Sequence, residues 1–433
     1  MKNQILLIIG IVGLLLFATN TTLFAQFTLT GELRPRTEFR NGFKKLRETS
    51  TDPAFFIEQR SRLYIDYKKD KIQLSIALQD VRMWGSTNQI YKTDATLQNV
   101  YEAWAKYAFN ERYAFKVGRQ ALNYDNARFL GNLDWAQQGR SHDALLFTKA
   151  DGDKNCKLHL AFAFNQQIPF EPGKLSGTDY FGVNNYKTML YGWWNKKFDN
   201  GAMSVLFHND GRQAADTTIA NRQTYAVLGN LKLGGIKLDG ELYYQGGKNA
   251  AKTSVNALLL AVHGTLKTDV TPLTLGFEYL TGTSMGDDTD KSFRPLYGTN
   301  HKFYGFMDYF YVGNNHGQGG KTSGLVDVHL KTKFKLGKKS SLMANLHYFA
   351  SPVKIYKTFD TSGDTYGSSL GTEIDLVYTI VLTKDVKFNL GYSQMFATET
   401  MEAVKNGGDK SAMQNWAWAM IAFKPQLFTT SKE

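Results

Sequence analysis

Apolar and polar residues alternate along most of the chain, and this alternation predicts β-strands. Successive side chains of a strand point to opposite faces, so a period of two marks a sheet with one apolar and one polar face. In GLVDVHLKTKFKL, Asp327, His329 and Lys331 share one face, whereas Val328 and Leu330 share the other. We find eighteen such segments, at 27–40, 55–67, 71–84, 96–108, 112–122, 140–149, 155–166, 186–198, 201–210, 222–233, 235–247, 254–268, 270–285, 322–336, 339–351, 370–382, 385–397 and 411–424.

The connections between these segments alternate in length. Those after even-numbered strands are tight turns, such as Asp199–Asn200 and Gly337–Lys338, whereas those after odd-numbered strands are longer, up to Gly286–Lys321. This alternation is typical of an up-and-down barrel in an outer membrane, with short periplasmic turns and long extracellular loops. Strands of this length also disfavour a soluble sandwich, whose strands usually have about 5–6 residues. We predict an all-β, transmembrane, up-and-down antiparallel β-barrel of about 18 strands.

The N-terminus predicts export. An apolar run, Ile5–Phe17, follows Lys2 and is too short to cross a bilayer as a helix, which is typical of a signal peptide. We therefore expect a signal peptide over residues 1–25 and a single barrel domain over residues 26–433. The one cysteine, Cys156, excludes an intrachain disulfide framework.

The composition fits a membrane barrel and indicates its partners. Glycine is abundant, with 39 residues, proline is scarce, with 8, and aromatic residues reach 14%, as turns and membrane interfaces require. The net charge of +12 indicates nucleic acid, anionic lipid or an acidic ligand as a partner. Because export makes nucleic acid an improbable partner, we expect contact with outer-membrane lipid or lipopolysaccharide and with an anionic solute.

The charged face of each strand is predicted to line the barrel interior, because an arginine or lysine facing mid-membrane lipid costs ~2–4 kcal/mol. The first two strands place four arginines, Arg34, Arg36, Arg60 and Arg62, on one inner wall. The guanidinium fork fits carboxylates, and rings of arginine or lysine select anions. Carboxylates on the same faces are expected to hold these side chains extended.

The final strand, NWAWAMIAFKP, alternates large and small residues. Trp416, Trp418 and Met420 share one face, whereas Ala417 and Ala419 share the other. Because bulky apolar groups suit the lipid side of a barrel, we predict that the two tryptophans face lipid.

A second set of charges surrounds the connection between the fifth and sixth predicted strands. This loop is long enough to fold inward and narrow a pore. We expect ion pairs to fix the loop against the wall, while Arg119, Arg128 and Arg140 remain partly free and attract anions.

Three stretches carry a resemblance to a known family: FKVGRQALNYDNARFLGNLDWAQQGRSHDALLF at 115–147, LYGTNHKFYGFMDYF at 296–310 and the closing NWAWAMIAFKP. They resemble the alginate export (AlgE-like) family of outer-membrane porins, in a form similar to that of Bacteroidetes members. The resemblance implies an 18-stranded monomeric barrel in a Gram-negative outer membrane, with an arginine-rich pore for polyuronate chains. The matching positions are Arg119, Gln120, Arg128, Asp134, Trp135, Arg140 and Asp143.

No other constellation indicates chemistry. The eight histidines lack the spacing of metal ligands, and Gly286–Asp290 lacks the alternating ligands of a calcium loop, so we expect no metal or other cofactor. We expect a porin for passive transport of anionic solutes, such as acidic saccharides or alginate-like oligomers, and no enzyme. A barrel enzyme and a pore-less structural or adhesion barrel stay open as alternatives. The strand number favours a channel, because so wide a barrel leaves an aqueous lumen unless it is plugged.

Overall fold

The computed structural model describes residues 25–87, 98–166, 185–214 and 216–430, which form one closed antiparallel β-barrel. Each strand pairs with its neighbours in sequence, and the first strand closes the barrel against the last. The predicted signal peptide, apart from Ala25, lies outside the described residues.

The strands follow the predicted segments closely. They are β1 (Gln26–Asn41), β2 (Ala54–Lys69), β3 (Ile72–Met83), β4 (Gln98–Ala108), β5 (Tyr113–Gln120), β6 (His142–Ala150), β7 (Cys156–Phe164), β8 (Thr188–Phe198), β9 (Gly201–Gln213), β10 (Ile219–Leu233), β11 (Ile236–Gly247), β12 (Ala257–Leu266), β13 (Leu273–Leu280), β14 (Leu325–Lys335), β15 (Ser340–Ala350), β16 (Ser369–Thr383), β17 (Val386–Ala397) and β18 (Gln414–Phe423). A short helix, α1 (Glu399–Lys405), lies between β17 and β18.

The last strand is interrupted. After β18 the chain resumes as Gln426–Thr429, which also pairs with β1. Pro425 lies in the break because proline has no amide hydrogen to donate to a sheet, whereas its carbonyl accepts from the amide of Gly31 at 3.1 Å. The two segments therefore occupy one strand position, and the predicted number of 18 strands is confirmed.

The two faces of the strands differ as the alternation predicts. On β11 and β12, Leu242, Leu260 and Val262 are exposed on the outside of the barrel, whereas Glu241 and Ala261 are buried on the inside. The outer face is thus an apolar band suited to lipid. Among the described residues, no helix is long and apolar enough to cross a membrane.

Introducing an arginine in this band is expected to destabilise the barrel according to depth. Leu260→Arg, near mid-strand, should cost ~2–4 kcal/mol in free energy of folding into lipid vesicles, because the guanidinium must be buried in hydrocarbon. Leu233→Arg, beside the turn at Gly234, should cost only ~0–1 kcal/mol. Equal costs at the two positions, measured by urea titration, would contradict this placement in the bilayer.

Two loops fill part of the lumen: the β5–β6 loop, residues 121–141, and the β13–β14 loop, residues 281–324. The β13–β14 loop carries buried aromatic side chains, which pack with inward-facing strand residues in one hydrophobic cluster. They include Phe293, Tyr297, Phe303, Tyr304, Tyr309 and Phe310. The loops are joined by a parallel bridge at Leu130 and Tyr297, where the Tyr297 amide donates to the Phe129 carbonyl at 3.1 Å.

The prediction for the tryptophans of β18 is wrong. Trp416 and Trp418 face the lumen and are 0% and 5% exposed, while Ala417 and Ala419 lie on the outward face. The indole Nε1 of Trp416 donates to Glu38 at 2.9 Å. The tryptophans point inward because the β5–β6 loop offers them an apolar surface: Trp135 lies 4.9 Å from Trp418, ring centroid to ring centroid.

Candidate functional site

The four predicted wall arginines face the lumen on β1 and β2, where Arg34 lies directly opposite Arg60. Such like-charge neighbours repel unless a counter-charge lies between them. Asp134 of the β5–β6 loop supplies it, with carboxylate oxygens 3.0 Å from Arg60 and 3.7 Å from Arg34. The Asp134 carboxylate also lies 3.5 Å from Arg62. One loop residue therefore neutralises part of an arginine cluster on the wall.

Further guanidinium hydrogen bonds go to backbone carbonyls of the same loop. Arg34 donates to the Asp134 carbonyl at 2.8 Å, and Arg36 donates to the Trp135 carbonyl at 2.9 Å. Arg62 donates to the Gln138 carbonyl at 3.2 Å. The arginine wall thus anchors the loop instead of presenting free guanidinium groups to an open pore.

The electrostatics around the β5–β6 loop keep Asp134 and Arg140 ionised. Burial raises the pKa of the Asp134 carboxyl, but the guanidiniums of Arg60 and Arg34 outweigh burial and hold that pKa below its ordinary value. Burial lowers the pKa of Arg140 to about 10, which still leaves the side chain charged at neutral pH. Arg140 donates to the Gly298 carbonyl at 3.0 Å and so connects the two loops.

Trp135 is held between the wall and the β13–β14 loop. The Arg36 guanidinium lies 4.2 Å from the centroid of the Trp135 ring, a cation–π contact. The ring also stacks on His301, with centroids 4.5 Å apart and an interplanar angle of 7°. Gln120 points inward at the end of β5, where its amide donates to the Ala144 carbonyl at 2.9 Å.

The sequence analysis expected Arg128 to be partly free, but the side chain is fully buried and paired. Its guanidinium lies 2.9 Å from Glu241 and 2.6 Å from Glu278, which come from β11 and β13. It also donates to the Tyr304 hydroxyl at 3.0 Å and covers the Phe303 ring at 4.0 Å. The β5–β6 loop is therefore fixed to opposite sides of the barrel, since Asp134 contacts β1 and β2.

Arg119 and Asp143 do not line the lumen, which corrects the expectation for both. They pair at 3.1 Å on the outward face, in the same alternation as the exposed Val117 and Leu145. Both lie where β5 ends and β6 begins, next to a long loop. Charges are tolerated there because the ends of strands reach headgroups and water.

Lysines line the periplasmic end of the lumen, at the other end from the inserted loops. The sequence analysis named only one of them, Lys331. Lys106 on β4 lies opposite Lys116 on β5, and Lys157 and Lys331 follow on β7 and β14. Within the described parts of the chain, none of these four forms an ion pair with a carboxylate. Lys106 and Lys116 flank the short turn between β4 and β5, and this spacing was the available signal.

Two of the three aspartates in the acidic stretch Gly286–Asp290 pair with protein cations. Asp287 pairs with Lys291 at 2.6 Å, and Asp290 pairs with Arg222 at 3.1 Å. Asp287 and Asp290 therefore each have a protein cation as counter-charge.

Eighteen antiparallel strands with an apolar exterior, and a polar lumen narrowed by inward-folded loops, define an outer-membrane channel of the porin class. Residues 25–417 match the alginate export family, and the chain belongs to this family. The resemblance to the alginate export family and the outer-membrane location are thereby confirmed. No curated protein sequence matches the chain.

Solved structures of outer-membrane proteins share the fold. Pseudomonas aeruginosa OccK9 (OpdG) is 11% identical, with a TM-score of 0.60, covering 93% of this chain and 98% of that chain. Acinetobacter baumannii OccAB4 is 10% identical, with a TM-score of 0.61 and the same coverage. Pseudomonas aeruginosa OpdK, solved with vanillate, is 8% identical, with a TM-score of 0.57, covering 92% and 98%. The family and these structural neighbours are channels, not enzymes.

Proposed function

We propose that this protein is a monomeric channel for passive movement of anionic solutes, including acidic saccharides such as polyuronate chains or oligomers. The observation that carries the proposal is the set of inward-facing lysines at the periplasmic end, whose ammonium groups have no ion-pair partner among the described residues. Rings of lysine or arginine favour anions over cations in a pore. Lys106, Lys116, Lys157 and Lys331 are therefore among the groups that a carboxylate entering from the periplasm meets.

The constriction at the β5–β6 loop adds a second region of positive potential, at the other end of the lumen from these lysines. Where residues 134–140 of the β5–β6 loop meet β1 and β2, guanidinium groups outnumber carboxylates. The cations are Arg34, Arg36, Arg40, Arg60, Arg62 and Arg140, and the anions are Glu32, Glu38, Glu58 and Asp134. Because most of their hydrogen bonds are already used, these arginines attract a passing carboxylate without holding it tightly. Weak, successive sites are what conduction requires.

The remaining positions of the sequence-based site receive roles from their placement. Arg128, Asp134 and Trp135 hold the loops and so shape the constriction. Gln120 joins the ends of β5 and β6, between which the β5–β6 loop runs. Arg119, paired with Asp143 on the outward face, is placed to contact anionic lipid or lipopolysaccharide headgroups at the extracellular end.

Planar bilayer recordings test the proposal. Under a potassium chloride gradient, the reversal potential of the wild-type channel should show chloride preference. The triple variant K106Q/K116Q/K331Q should lose most of it, because each ammonium contributes about 1 kcal/mol to an anion at ~4 Å in water, or about fivefold in local concentration. The control K149Q removes a lysine that lies exposed on the outward side of β6 and should change nothing.

Oligomers added to the same bilayers distinguish the solute class. Oligouronates should interrupt the current of the wild-type channel, whereas neutral glucans of equal length should not. Equal potassium and chloride permeability in the wild type, unchanged in the triple variant, would contradict anion preference. A wild-type barrel that folds but conducts no current would support the pore-less structural alternative.

A further inference from the structure

A row of imidazoles crosses four neighbouring strands on the inner wall. His263 on β12 lies opposite Gly276 on β13, Gly276 lies opposite His329 on β14, and His329 lies opposite His347 on β15. There is no space for a side chain at Gly276, because a Cβ atom there would lie 2.1 Å from Nε2 of His329. The glycine therefore makes room for the rings, and His263 and His329 stack with centroids 5.2 Å apart.

Asp327 joins two of these histidines. Its carboxylate lies 2.9 Å from Nδ1 of His347 and 3.2 Å from Nδ1 of His329. All three side chains are almost fully buried. Their ligand atoms lie within 4.8 Å of one another, close enough to share one metal ion.

The other side of His347 is not satisfied by the protein. Nε2 of His347 has no hydrogen-bond partner, nor has Oδ2 of Asp375, and the two atoms face each other at 3.9 Å. A neutral His347 that donates from Nδ1 to Asp327 presents a lone pair at Nε2. Two buried acceptors then face each other, which is an unfavourable arrangement.

The local charge balance also favours a cation. Asp327, Glu373 and Asp375 are each 0% exposed. In the described parts of the chain, none of the three forms an ion pair with a lysine or an arginine. Buried carboxylates without a paired charge are costly, and proteins compensate them with cations or metal ions.

We propose that a divalent transition-metal ion, with the ligand preferences of zinc, binds to Asp327, Nδ1 of His329 and Nδ1 of His347. Two imidazoles and one carboxylate form a common zinc ligand set. Bonds of about 2.0–2.2 Å in a tetrahedron place ligand atoms about 3.3–3.5 Å apart. Oδ2 of Asp327 lies 3.0 Å from Nδ1 of His347 and 3.2 Å from Nδ1 of His329, so these separations need only a small expansion. Three protein ligands leave a fourth position for water.

Metal binding at Nδ1 also resolves the unsatisfied pair. The proton of His347 then resides on Nε2, where it points to Oδ2 of Asp375. This carboxylate–histidine–metal arrangement is how proteins orient histidine ligands. Asp375 is thus a positioning residue for His347.

Metal content of the purified full-length chain tests the proposal. The protein in detergent is stripped with a chelator, dialysed against Zn²⁺ or Co²⁺, and assayed by mass spectrometry and by Co²⁺ absorption. The wild type should retain a single ion with a tetrahedral Co²⁺ spectrum. D327N and H329Q/H347Q should lose it, and D375N should bind about 10–100-fold more weakly. Folding of every variant is checked by heat-dependent mobility on gels.

The control is H208Q, which removes a buried histidine on β9 that belongs to no candidate metal group among the described residues. H208Q should bind Zn²⁺ as the wild type does. A wild-type protein that retains no more Zn²⁺ than folded H329Q/H347Q would overturn the proposal and indicate that His347 carries two protons instead. This assay measures metal binding and not transport, so its result does not depend on whether the channel conducts anions.

Discussion

Arg128→Ala is expected to destabilise the protein by about 3–5 kcal/mol, the cost of removing one partner from a buried ion pair. The loss is large because Glu241 and Glu278 stay buried and then lack their counter-charge. The midpoint of urea unfolding in detergent, followed by tryptophan fluorescence, measures the effect. Trp135, Trp416 and Trp418 lie near the loop that Arg128 holds and report its release.

Two companion variants identify the cause. Arg119→Ala removes an exposed pair on the outward face and should cost only ~0–1 kcal/mol. Adding Glu278→Gln to Arg128→Ala should recover part of the lost stability, because it removes one of the two buried carboxylates that Arg128→Ala leaves unpaired. If Arg128→Ala were as stable as Arg119→Ala, the buried ion pairs would not fix the loop.

Releasing the β13–β14 loop is expected to raise the single-channel conductance severalfold. The triple variant Y304S/Y309S/F310S removes three aromatic side chains that are 0–1% exposed. Each large-to-small change in a core costs about 3–5 kcal/mol, so the loop loses the packing that holds it in the lumen. A barrel of this strand number leaves an aqueous channel when it is not plugged.

The matched control for the loop variant is F359S. Phe359 is 75% exposed in the loop between β15 and β16, so its removal should leave conductance unchanged. Folded barrels of the triple variant with wild-type conductance would show that the aromatic packing does not obstruct the pore.

The barrel itself was predictable from the sequence because lipid imposes a strict rule on it. Each spanning strand must be apolar on one side, so apolar and polar residues alternate along its whole length. This alternation marks the position of each strand in the sequence. The predicted segment 385–397 corresponds to Val386–Ala397, and 201–210 corresponds to Gly201–Gln213. Short and long connections then gave the topology.

The interior was less predictable because two of the rules applied to it have limits. The rule that charged faces point inward fails for Arg119 and Asp143, since strand ends lie in headgroups and water. The rule that large aromatic residues face lipid fails for Trp416 and Trp418, because the lumen at their level is packed with protein. Neither limit is visible in the alternation of the strands themselves.

Contacts across the lumen were beyond the sequence pattern altogether. The partners of Arg128 lie on β11 and β13, far along the chain, and His347 reaches Asp327 and His329 from the adjacent strand β15. One signal was available: the run from Phe303 to Tyr311 is more aromatic than a solvated loop requires. Such a composition indicates a loop that packs inside the barrel.

The bridge at Leu130 and Tyr297 makes the two inserted loops a single mechanical unit. The Tyr297 amide donates to Phe129, the Gly131 amide donates to Tyr297, and Arg140 donates to Gly298. One loop cannot swing out without breaking these bonds or pulling the other along. The two loops therefore obstruct the lumen as one body that is attached to opposite walls. A change that weakens either attachment alters the whole passage.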